Sequence, residues 1–355
     1  MFESFGFETL TPAVASVIFG LLLGSAFGAL AEVTRFCLRR GLVGDPRERR
    51  SALGVWLMAL AVAVLGTQAA VAAGWIGFDG HRFMEADLPV LAILIGGLLF
   101  GAGMVLTRGC ASRLTVLAAS GNLRAATVLV VFAIAAHATL KGILAPVRTA
   151  LGGYTLPVGD AISLAALPGG ALLWSLVIAG LAAAYALRSG TRPALLAGAI
   201  LIGTLVPLGW VGTGFVLYDE FDPIAFESLS FTSPAAETLF WTVASSAIPA
   251  GFGTGLIGGV LAGAAALSLL SGRFRWQSFV SPRETLRYMA GGALMGIGGV
   301  LAGGCTVGVG LAGVPTLSLA AILGLLAIVA GARAADRLVS ASPSGSVAPS
   351  ATHPA

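Results

Sequence analysis

Long apolar runs separated by short polar loops dominate the pattern of this chain. A helix needs about 20 apolar residues to cross the hydrocarbon core of a membrane, and the chain has nine runs close to that length. They cover residues 12–33, 51–74, 90–107, 125–143, 168–187, 193–210, 252–271, 286–302 and 316–338. A spanning segment must satisfy its own backbone hydrogen bonds, so the runs predict an all-α polytopic membrane protein. A shorter apolar stretch within 235–248 predicts a re-entrant helix.

Composition narrows the class further. Of the 355 residues, 57% are hydrophobic and 10% are charged, whereas a soluble domain carries about 25% charge. A water-soluble enzyme is therefore excluded. The 50 glycines favour a compact bundle, because glycine lets helices approach closely and permits breaks within them.

The loops differ in charge from one side to the other. Arginine is concentrated in 39–50, 188–192, 272–287 and the final "ARAADR", while the N-terminus, 77–89 and 218–237 are acidic or poor in arginine. The positive-inside rule then places the N-terminus outside and the C-terminus in the cytoplasm of a bacterium, with the chain multi-pass in the inner membrane. The Ser-, Pro- and Ala-rich tail, 339–355, is predicted to be disordered.

Three segments share the pattern G-x3-G-x8-C. They are "GSAFGALAEVTRFC" ending at Cys37, "GLLFGAGMVLTRGC" ending at Cys110 and "GALMGIGGVLAGGC" ending at Cys305. A degenerate fourth copy ends at Gly212. The copies divide a single membrane transport domain, 1–338, into repeats of about 12–165 and 193–338. Each repeat has four spans, and one linking span separates them, so the second repeat enters the membrane from the opposite side. This predicts an inverted pseudo-symmetric architecture like that of secondary transporters.

The chain changes character after Cys110 and Cys305. Each is preceded by glycine (Gly109 and Gly304) and followed by a stretch too short to cross the membrane. This pattern predicts helices that break at Gly-Cys and continue as half-helices. The first N–H groups of such a half-helix, with its positive dipole end, suit an anion.

These motifs, with "TRFC" at Cys37, "RGCASRLTVLAASGNLR" at Cys110, "ESLSFTSP" from Glu227 and "GGALMGIGGVLAGGCTVGVGLAG" at Cys305, resemble the YeeE/YedE family of sulfur transporters. The resemblance extends to about Arg337. It implies an hourglass-like bundle that passes thiosulfate along three cysteines, here Cys37, Cys110 and Cys305, at a central constriction. Many members of that family work beside a small soluble sulfur-carrier protein in the cytoplasm. Thiosulfate-type members often have Asn after the last cysteine, where this chain has Thr306.

The cysteines are expected to act as neutral thiols, because a thiolate would repel a sulfur oxyanion and an ordinary thiol is protonated at pH 7. A neutral thiol is a weak donor, which suits binding that must also release. The three cysteines lie far apart in sequence and lack the close spacing of a structural metal site. We expect no metal, no cofactor and no nucleic-acid partner.

The charged residues near the cysteines allow two interpretations. Arg35 and Arg108 either snorkel to the interface or draw the anion inwards. Arg113, inside a predicted half-helix, is expected to attract the anion or anchor that helix. Lys141, the only lysine, is a candidate permeation residue or a snorkelling helix end. Glu32 is expected to pair with Arg35 or Arg108.

The sequence thus predicts a membrane importer of a small sulfur-containing anion, thiosulfate first, and no enzymatic activity. Its partners would be that anion and membrane lipid. Two alternatives remain open at this point. One is a membrane sulfurtransferase subunit that carries a cysteine persulfide. The other is transport of a selenium compound or another oxyanion.

Overall fold

The computed structural model describes residues 11–159 and 161–341. Thirteen α-helices and one two-stranded sheet lie within them. In chain order the elements are α1 Pro12–Thr34, α2 Leu38–Leu42, α3 Pro46–Ala72, β1 Asp87–Leu88, α4 Val90–Leu106, α5 Ala111–Ala119, α6 Leu123–Lys141, α7 Ala145–Gly152, β2 Leu156–Pro157, α8 Gly170–Arg188, α9 Pro193–Val211, α10 Thr232–Val243, α11 Phe252–Leu270, α12 Pro282–Leu301 and α13 Leu319–Ala341. Two π-helical segments, Gly212–Val216 and Thr306–Gly313, follow α9 and α12. Nine helical regions of this part of the chain are long and apolar enough to span a membrane, which confirms the all-α polytopic prediction.

Two helices, α3 and α12, begin at a capping side chain and not at the first residue of the apolar run. The carboxylate of Asp45 accepts a hydrogen bond from Arg47 N, so α3 begins at Pro46, five residues before the apolar run. Ser281 caps α12 in the same way, through a bond from Glu284 N. A side-chain acceptor at the N-cap satisfies an otherwise unpaired N–H group. Apolar length alone therefore places these two starts too late.

Three smaller predictions have mixed outcomes. A 12-residue helix, α10, covers most of the predicted re-entrant stretch, although it begins earlier, at Thr232. The sequence pattern did not predict α7. The last helix, α13, continues to Ala341 and so takes in the first three residues of the predicted tail, 339–355. The remainder of that tail lies outside the described residues.

Glycine faces join the long helices. Gly20, Gly24 and Gly28 of α1 lie against the backbone of α11 at successive turns, at Phe252, Leu256 and Val260. The two helices therefore run in the same direction. In the other two copies of the repeat, Gly97 and Gly101 contact α13, and Gly292 and Gly296 contact α6. Each G-x3-G pair marks a helix–helix contact, as small residues do in membrane bundles.

The nine long helices alternate in direction, so their connections lie at two opposite ends. We call one the Cys37 end, which holds the connections α1–α3, α4–α6, α8–α9 and α11–α12. The other is the Glu227 end, which holds α3–α4, α6–α8, α9–α11 and α12–α13. Cys37 and Cys110 belong to the first set of connections and Cys305 to the second. The cysteines therefore approach one another from opposite ends of the bundle.

The principal helix pairs are α1 with α11, α3 with α9, α4 with α13 and α6 with α12. A central pair, α4 with α12, is antiparallel, because Gly96 lies near Ala302 and Gly103 near Gly291. Fully buried phenylalanines, among them Phe27, Phe100 and Phe132, fill the space between the pairs. This core holds the cysteine-bearing breaks in place.

Candidate transport site

All three cysteines occupy the same local position, at the N-cap of a short helical segment. Cys37 precedes α2, Cys110 precedes α5 and Cys305 precedes the π-helical segment Thr306–Gly313. Two residues before each cysteine the backbone is left-handed, with φ of 51° at Arg35, 58° at Arg108 and 80° at Gly303. A left-handed residue ends a helix by satisfying its last carbonyls. Each long helix therefore stops, turns at a cysteine and restarts, as the sequence predicted for Cys110 and Cys305.

Two of the thiols are in contact. Sγ of Cys37 lies 3.6 Å from Sγ of Cys110, and Sγ of Cys110 lies 3.4 Å from Oγ of Ser112. All three cysteines are free and buried. No group of three His, Cys, Asp or Glu side chains placed to hold a metal ion occurs among the described residues. The thiol pair, with the hydroxyl beside it, forms a small polar cluster inside an apolar core.

Cys305 lies on the opposite side of that core. Its Sγ accepts a hydrogen bond from Gly308 N at 3.4 Å, so this thiol caps its own helical segment. Phe231 and Thr232, at the start of α10, lie beside it. Oγ1 of Thr232 is buried beside this thiol, and no nitrogen or oxygen atom of the described residues is its hydrogen-bond partner. A buried hydroxyl without a partner is costly, and such a group is expected where a ligand completes it.

A cavity of about 190 Å³, which we call the Cys37 cavity, lies on one side of the thiol pair. Its charged lining consists of four arginines and two carboxylates, namely Arg39, Arg40, Arg108, Arg113, Asp45 and Glu48. Nε of Arg39 is buried and lacks a hydrogen-bond partner. The excess of guanidinium groups makes this cavity attractive to an anion.

A larger cavity of about 540 Å³, which we call the Glu227 cavity, opens at the other end. Its polar lining includes His81, Arg82, Glu227, Ser228, Ser230 and Ser233, and it reaches Gly308 in the segment that Cys305 caps. Burial raises the pKa of Glu227 to about 7; the nearby Glu237 carboxylate adds to this and Arg82 opposes it. With one arginine and one carboxylate in its lining, this cavity carries less net positive charge than the Cys37 cavity, which has four arginines and two carboxylates.

Aromatic side chains occupy the space between the two cavities. The rings of Phe27 and Phe231 are 5.4 Å apart, and those of Phe27 and Phe36 are 6.0 Å apart. Phe36 directly precedes Cys37, and Phe231 lies beside Cys305. The three rings thus connect the thiol at one end to the thiols at the other.

The predicted site residues do not all come together. Arg108 and Arg113 line the Cys37 cavity, and Gly109 and Gly304 form the turns before their cysteines. Lys141 is exposed at the end of α6 and lines neither cavity. The expected partner of Glu32 was wrong. Its Oε2 lies 3.3 Å from Nη1 of Arg113, because α5 folds back beside α1, whereas Arg35 and Arg108 occupy the left-handed turns.

Arg82, Glu227 and Thr232 were missed as candidate site residues. Arg82 lies in a loop whose composition is only acidic or poor in arginine, and Glu227 and Thr232 lie in another such loop. The one available signal was "ESLSFTSP", a polar stretch beside a run too short to cross the membrane. Its serines and Glu227 line the Glu227 cavity.

Comparison with known proteins agrees with this architecture. The sequence model of the family described as "Sulphur transport" matches residues 33–334. The chain is 26% identical over 349 residues to the thiosulfate transporter TsuA of Escherichia coli strain K12, a match that covers 91% of this chain and 94% of that protein. It is 27% identical over 345 residues to the thiosulfate transporter TsuA of Spirochaeta thermophila, covering 88% and 96%. The family resemblance drawn from the cysteine motifs is thereby confirmed, and the chain belongs to the sulphur transport family.

Proposed function

We propose that this protein carries a small sulfur oxyanion, thiosulfate in the first place, across the membrane along a path between its two cavities. The observation that carries the proposal is the matched position of the three cysteines. Each thiol is an N-cap residue after a left-handed turn, and together they lie between a cavity at either end. The names of the two relatives support thiosulfate as the anion.

The N-caps supply groups that suit this anion. The side chains of Cys37 and Cys110 make no capping hydrogen bond to the helices they precede. The first backbone N–H groups after each cysteine have no partner within their own helix backbone, and the helix dipole favours negative charge there. A neutral thiol adds a weak donor that fits the soft terminal sulfur of thiosulfate. Several weak contacts in series permit both binding and release.

The described conformation is closed between the cavities. Cys110 and Cys305 are 1% and 0% exposed, and Phe27, Phe36 and Phe231 are fully buried between them. Passage of an anion then requires these aromatic side chains to move aside. Alternation between two arrangements of such an apolar plug is a common means of gating.

We further propose that the two repeats are related by an inverted pseudo-twofold axis. In this proposal α1, α3, α4 and α6 correspond to α9, α11, α12 and α13. When each helix is replaced by its counterpart in the other repeat, the pair α1–α11 becomes α9–α3, and the pair α4–α13 becomes α12–α6. All four are principal pairs of the structure, which supports the proposal, and the corresponding helices run in opposite directions.

Orientation follows from charge in this proposal. The Cys37 end carries the arginine-rich loops and the Arg-lined cavity, so the positive-inside rule places it in the cytoplasm of a bacterium. The Glu227 cavity then faces outside and receives the anion. The anion would leave through the Cys37 cavity, where a soluble sulfur-carrier protein is a proposed recipient.

The test is uptake of radiolabelled thiosulfate by cells that lack other sulfur importers. Cys110→Ser should slow uptake and Cys110→Ala should abolish it, because the hydroxyl retains a donor and the methyl group does not. Ser175→Ala, at a buried position on α8 that lines neither cavity, is the matched control and should transport normally. Normal uptake in all three single Cys→Ala variants would contradict the proposal.

The alternatives give different results in related measurements. A subunit that carries a persulfide would gain the mass of one sulfur atom on a cysteine after exposure to a sulfur donor, detected by intact-mass spectrometry. A carrier of another oxyanion or of a selenium compound would show stronger competition from that compound than from unlabelled thiosulfate. We expect unlabelled thiosulfate to compete best and the mass to remain unchanged.

A further inference from the structure

Glu227 holds a carboxyl group in the wall of the Glu227 cavity, and no cationic group of the described residues forms an ion pair with it. Ion pairs within 4.0 Å in the described part of the chain involve only Glu32, Glu48 and Glu284 among the carboxylates. The backbone of Glu227 is fixed, since its N–H donates to Oγ1 of Thr213 and its carbonyl accepts from the same hydroxyl at 2.6 Å. These two bonds hold the residue in the cavity wall.

A negative charge at this position opposes the function proposed above. An anion that enters the Glu227 cavity meets one guanidinium group, Arg82, and the hydroxyls of Ser230 and Ser233. The Ser228 hydroxyl already donates to the carbonyl of Val206. The anion also meets Glu227, and repulsion between like charges is strong where little water intervenes. Protonation of Glu227 removes the repulsion and leaves every favourable group in place.

We propose that Glu227 is a proton-binding site, and that an anion in the Glu227 cavity binds together with a proton on this carboxyl. The inference rests on the proposed function, because it takes the Glu227 cavity to be the anion's binding site. It adds a second ligand, the proton, to the first.

The neighbouring charged groups favour a proton on Glu227 itself. Glu237 of α10 is the like-charged neighbour, and its own charge is balanced in part by Lys141 at the end of α6. Arg82 acts in the opposite direction, so the pKa of Glu227, raised to about 7 by burial and Glu237, stays near neutrality. Burial and then Arg82 lower the pKa of His81 to about 4, so His81 remains neutral and does not compete for the proton.

Cys305 completes the set of titratable groups around the cavity. Its Sγ caps the segment that includes Gly308 in the cavity wall. A thiol that accepts Gly308 N is already engaged in the closed conformation. The proton that accompanies the anion is therefore placed on the carboxyl and not on this sulfur.

A proton also reduces the electrical cost of transport. Moving one elementary charge against a membrane potential changes an accumulation ratio by about 50-fold for each 100 mV. Thiosulfate carries two negative charges, so in a cell with a negative interior its accumulation ratio is lowered by this factor once for each charge. A proton bound with the anion removes one of the two factors when both cross together.

The sign of the pH effect follows from linkage. If the anion binds the protonated form, affinity is constant below the pKa of the free protein and falls above it. For one linked proton the apparent Kd rises tenfold for each pH unit above about 7. Glu227→Gln imitates the protonated form, so it should keep the low-pH affinity at every pH.

The experiment is calorimetric titration of the purified full chain in detergent with sodium thiosulfate from pH 5.5 to 8.5. In the wild type we expect a constant Kd at low pH and a tenfold rise per unit above neutrality. Titration in two buffers of different ionisation enthalpy should give an uptake approaching one proton per anion at pH 8. Glu227→Gln should show a flat pH profile and no proton uptake. Glu85→Gln removes an exposed carboxyl from the same end but outside the Glu227 cavity, and it should match the wild type.

The outcomes separate the two proposals. Equal pH profiles and equal proton uptake in the wild type and Glu227→Gln would contradict the proton site and leave thiosulfate binding intact. A flat profile in the wild type would do the same. No thiosulfate binding by folded wild type at any pH would contradict the proposed function, and with it the proton site.

Discussion

Sγ of Cys37 and Sγ of Cys110 lie 3.6 Å apart, although 73 residues separate them in the sequence. The contact forms because α1 and α4 both end at the Cys37 end, each in a left-handed turn two residues before its cysteine. In the proposed transport path the two thiols would therefore meet the anion as one unit. Cys305, held by Gly308 on the other side of the aromatic residues, would be a separate contact.

The thiol contact predicts that Cys37 and Cys110 are energetically coupled. Residues in contact show non-additive effects on mutation, by about 0.5–3 kcal/mol. We expect the initial uptake rate of Cys37→Ser/Cys110→Ser, relative to the wild type, to exceed the product of the relative rates of the two single variants. The pair Cys37→Ser and Ser175→Ala should be additive. Additive behaviour of the two cysteines would show that the contact has no part in transport.

A second prediction concerns the glycine face of α1. A methyl group on Gly24 would overlap the carbonyl oxygen of Leu256, whereas Gly180 of α8 has no atom within 4 Å of the same position. Gly24→Ala should lower the thermal unfolding midpoint and the yield of folded protein. Gly180→Ala should not lower either, because alanine favours a helix by about 1 kcal/mol over glycine. Equal midpoints for the two variants would contradict the close packing of α1 on α11.

A third prediction concerns Glu32 and Arg113. Their side chains are 9% and 14% exposed and their charged atoms lie 3.3 Å apart. Removing one member of a buried pair leaves the other charge uncompensated, so Glu32→Gln should cost about 2 kcal/mol of unfolding free energy. Glu32→Gln/Arg113→Met should lose less than Glu32→Gln alone. Denaturant titration in detergent measures both, and a double variant less stable than Glu32→Gln would contradict the uncompensated charge.

The spans and breaks of this protein were predictable from sequence because each depends on local chemistry. Apolar length placed the long helices to within a few residues, except where Asp45 and Ser281 extend a helix by capping it. The repeat located the breaks, and the left-handed turns at Arg35, Arg108 and Gly303 give it a physical basis. The degenerate copy differs here: α9 continues through Gly212 in a π-helical segment without a left-handed residue.

The partners of the charged residues were not predictable from sequence. Glu32 lies three residues before Arg35 yet pairs with Arg113, and this pairing depends on where α5 folds back. The Glu227 cavity combines residues from the loop after α3, the end of α9 and the segment before α10. No periodicity in one sequence indicates which of these distant loops meet. The unpartnered hydroxyl of Thr232 is likewise visible only when its surroundings are known.

A fourth prediction separates the charge of Arg108 from its backbone conformation. Its φ of 58° favours glycine, and its side chain lines the Cys37 cavity. Arg108→Gly should be about 1 kcal/mol more stable than Arg108→Gln, yet both should reduce thiosulfate uptake several-fold because both remove the charge. Arg108→Lys should retain most of the uptake. Normal uptake by Arg108→Gln would support an interfacial role for this side chain.

The last prediction uses the buried hydroxyl of Thr232. Within the described residues this Oγ1 has no nitrogen or oxygen partner, so replacing it with an apolar group of the same shape removes a desolvation cost. Thr232→Val should therefore raise the unfolding free energy by about 1 kcal/mol when no anion is present. If the hydroxyl serves the anion beside Cys305, the same variant should bind thiosulfate more weakly.

Thr67 of α3 provides the matched control, because its Oγ1 is also buried without a partner and it lines neither cavity. Thermal unfolding is measured with and without saturating thiosulfate, since a ligand of the folded state raises the midpoint according to its affinity. Thr67→Val should raise the midpoint and keep the full thiosulfate shift. Thr232→Val should raise the midpoint and lose most of that shift. If both variants keep the full shift, Thr232 does not contact the anion, and its unpartnered hydroxyl is only a local cost to stability.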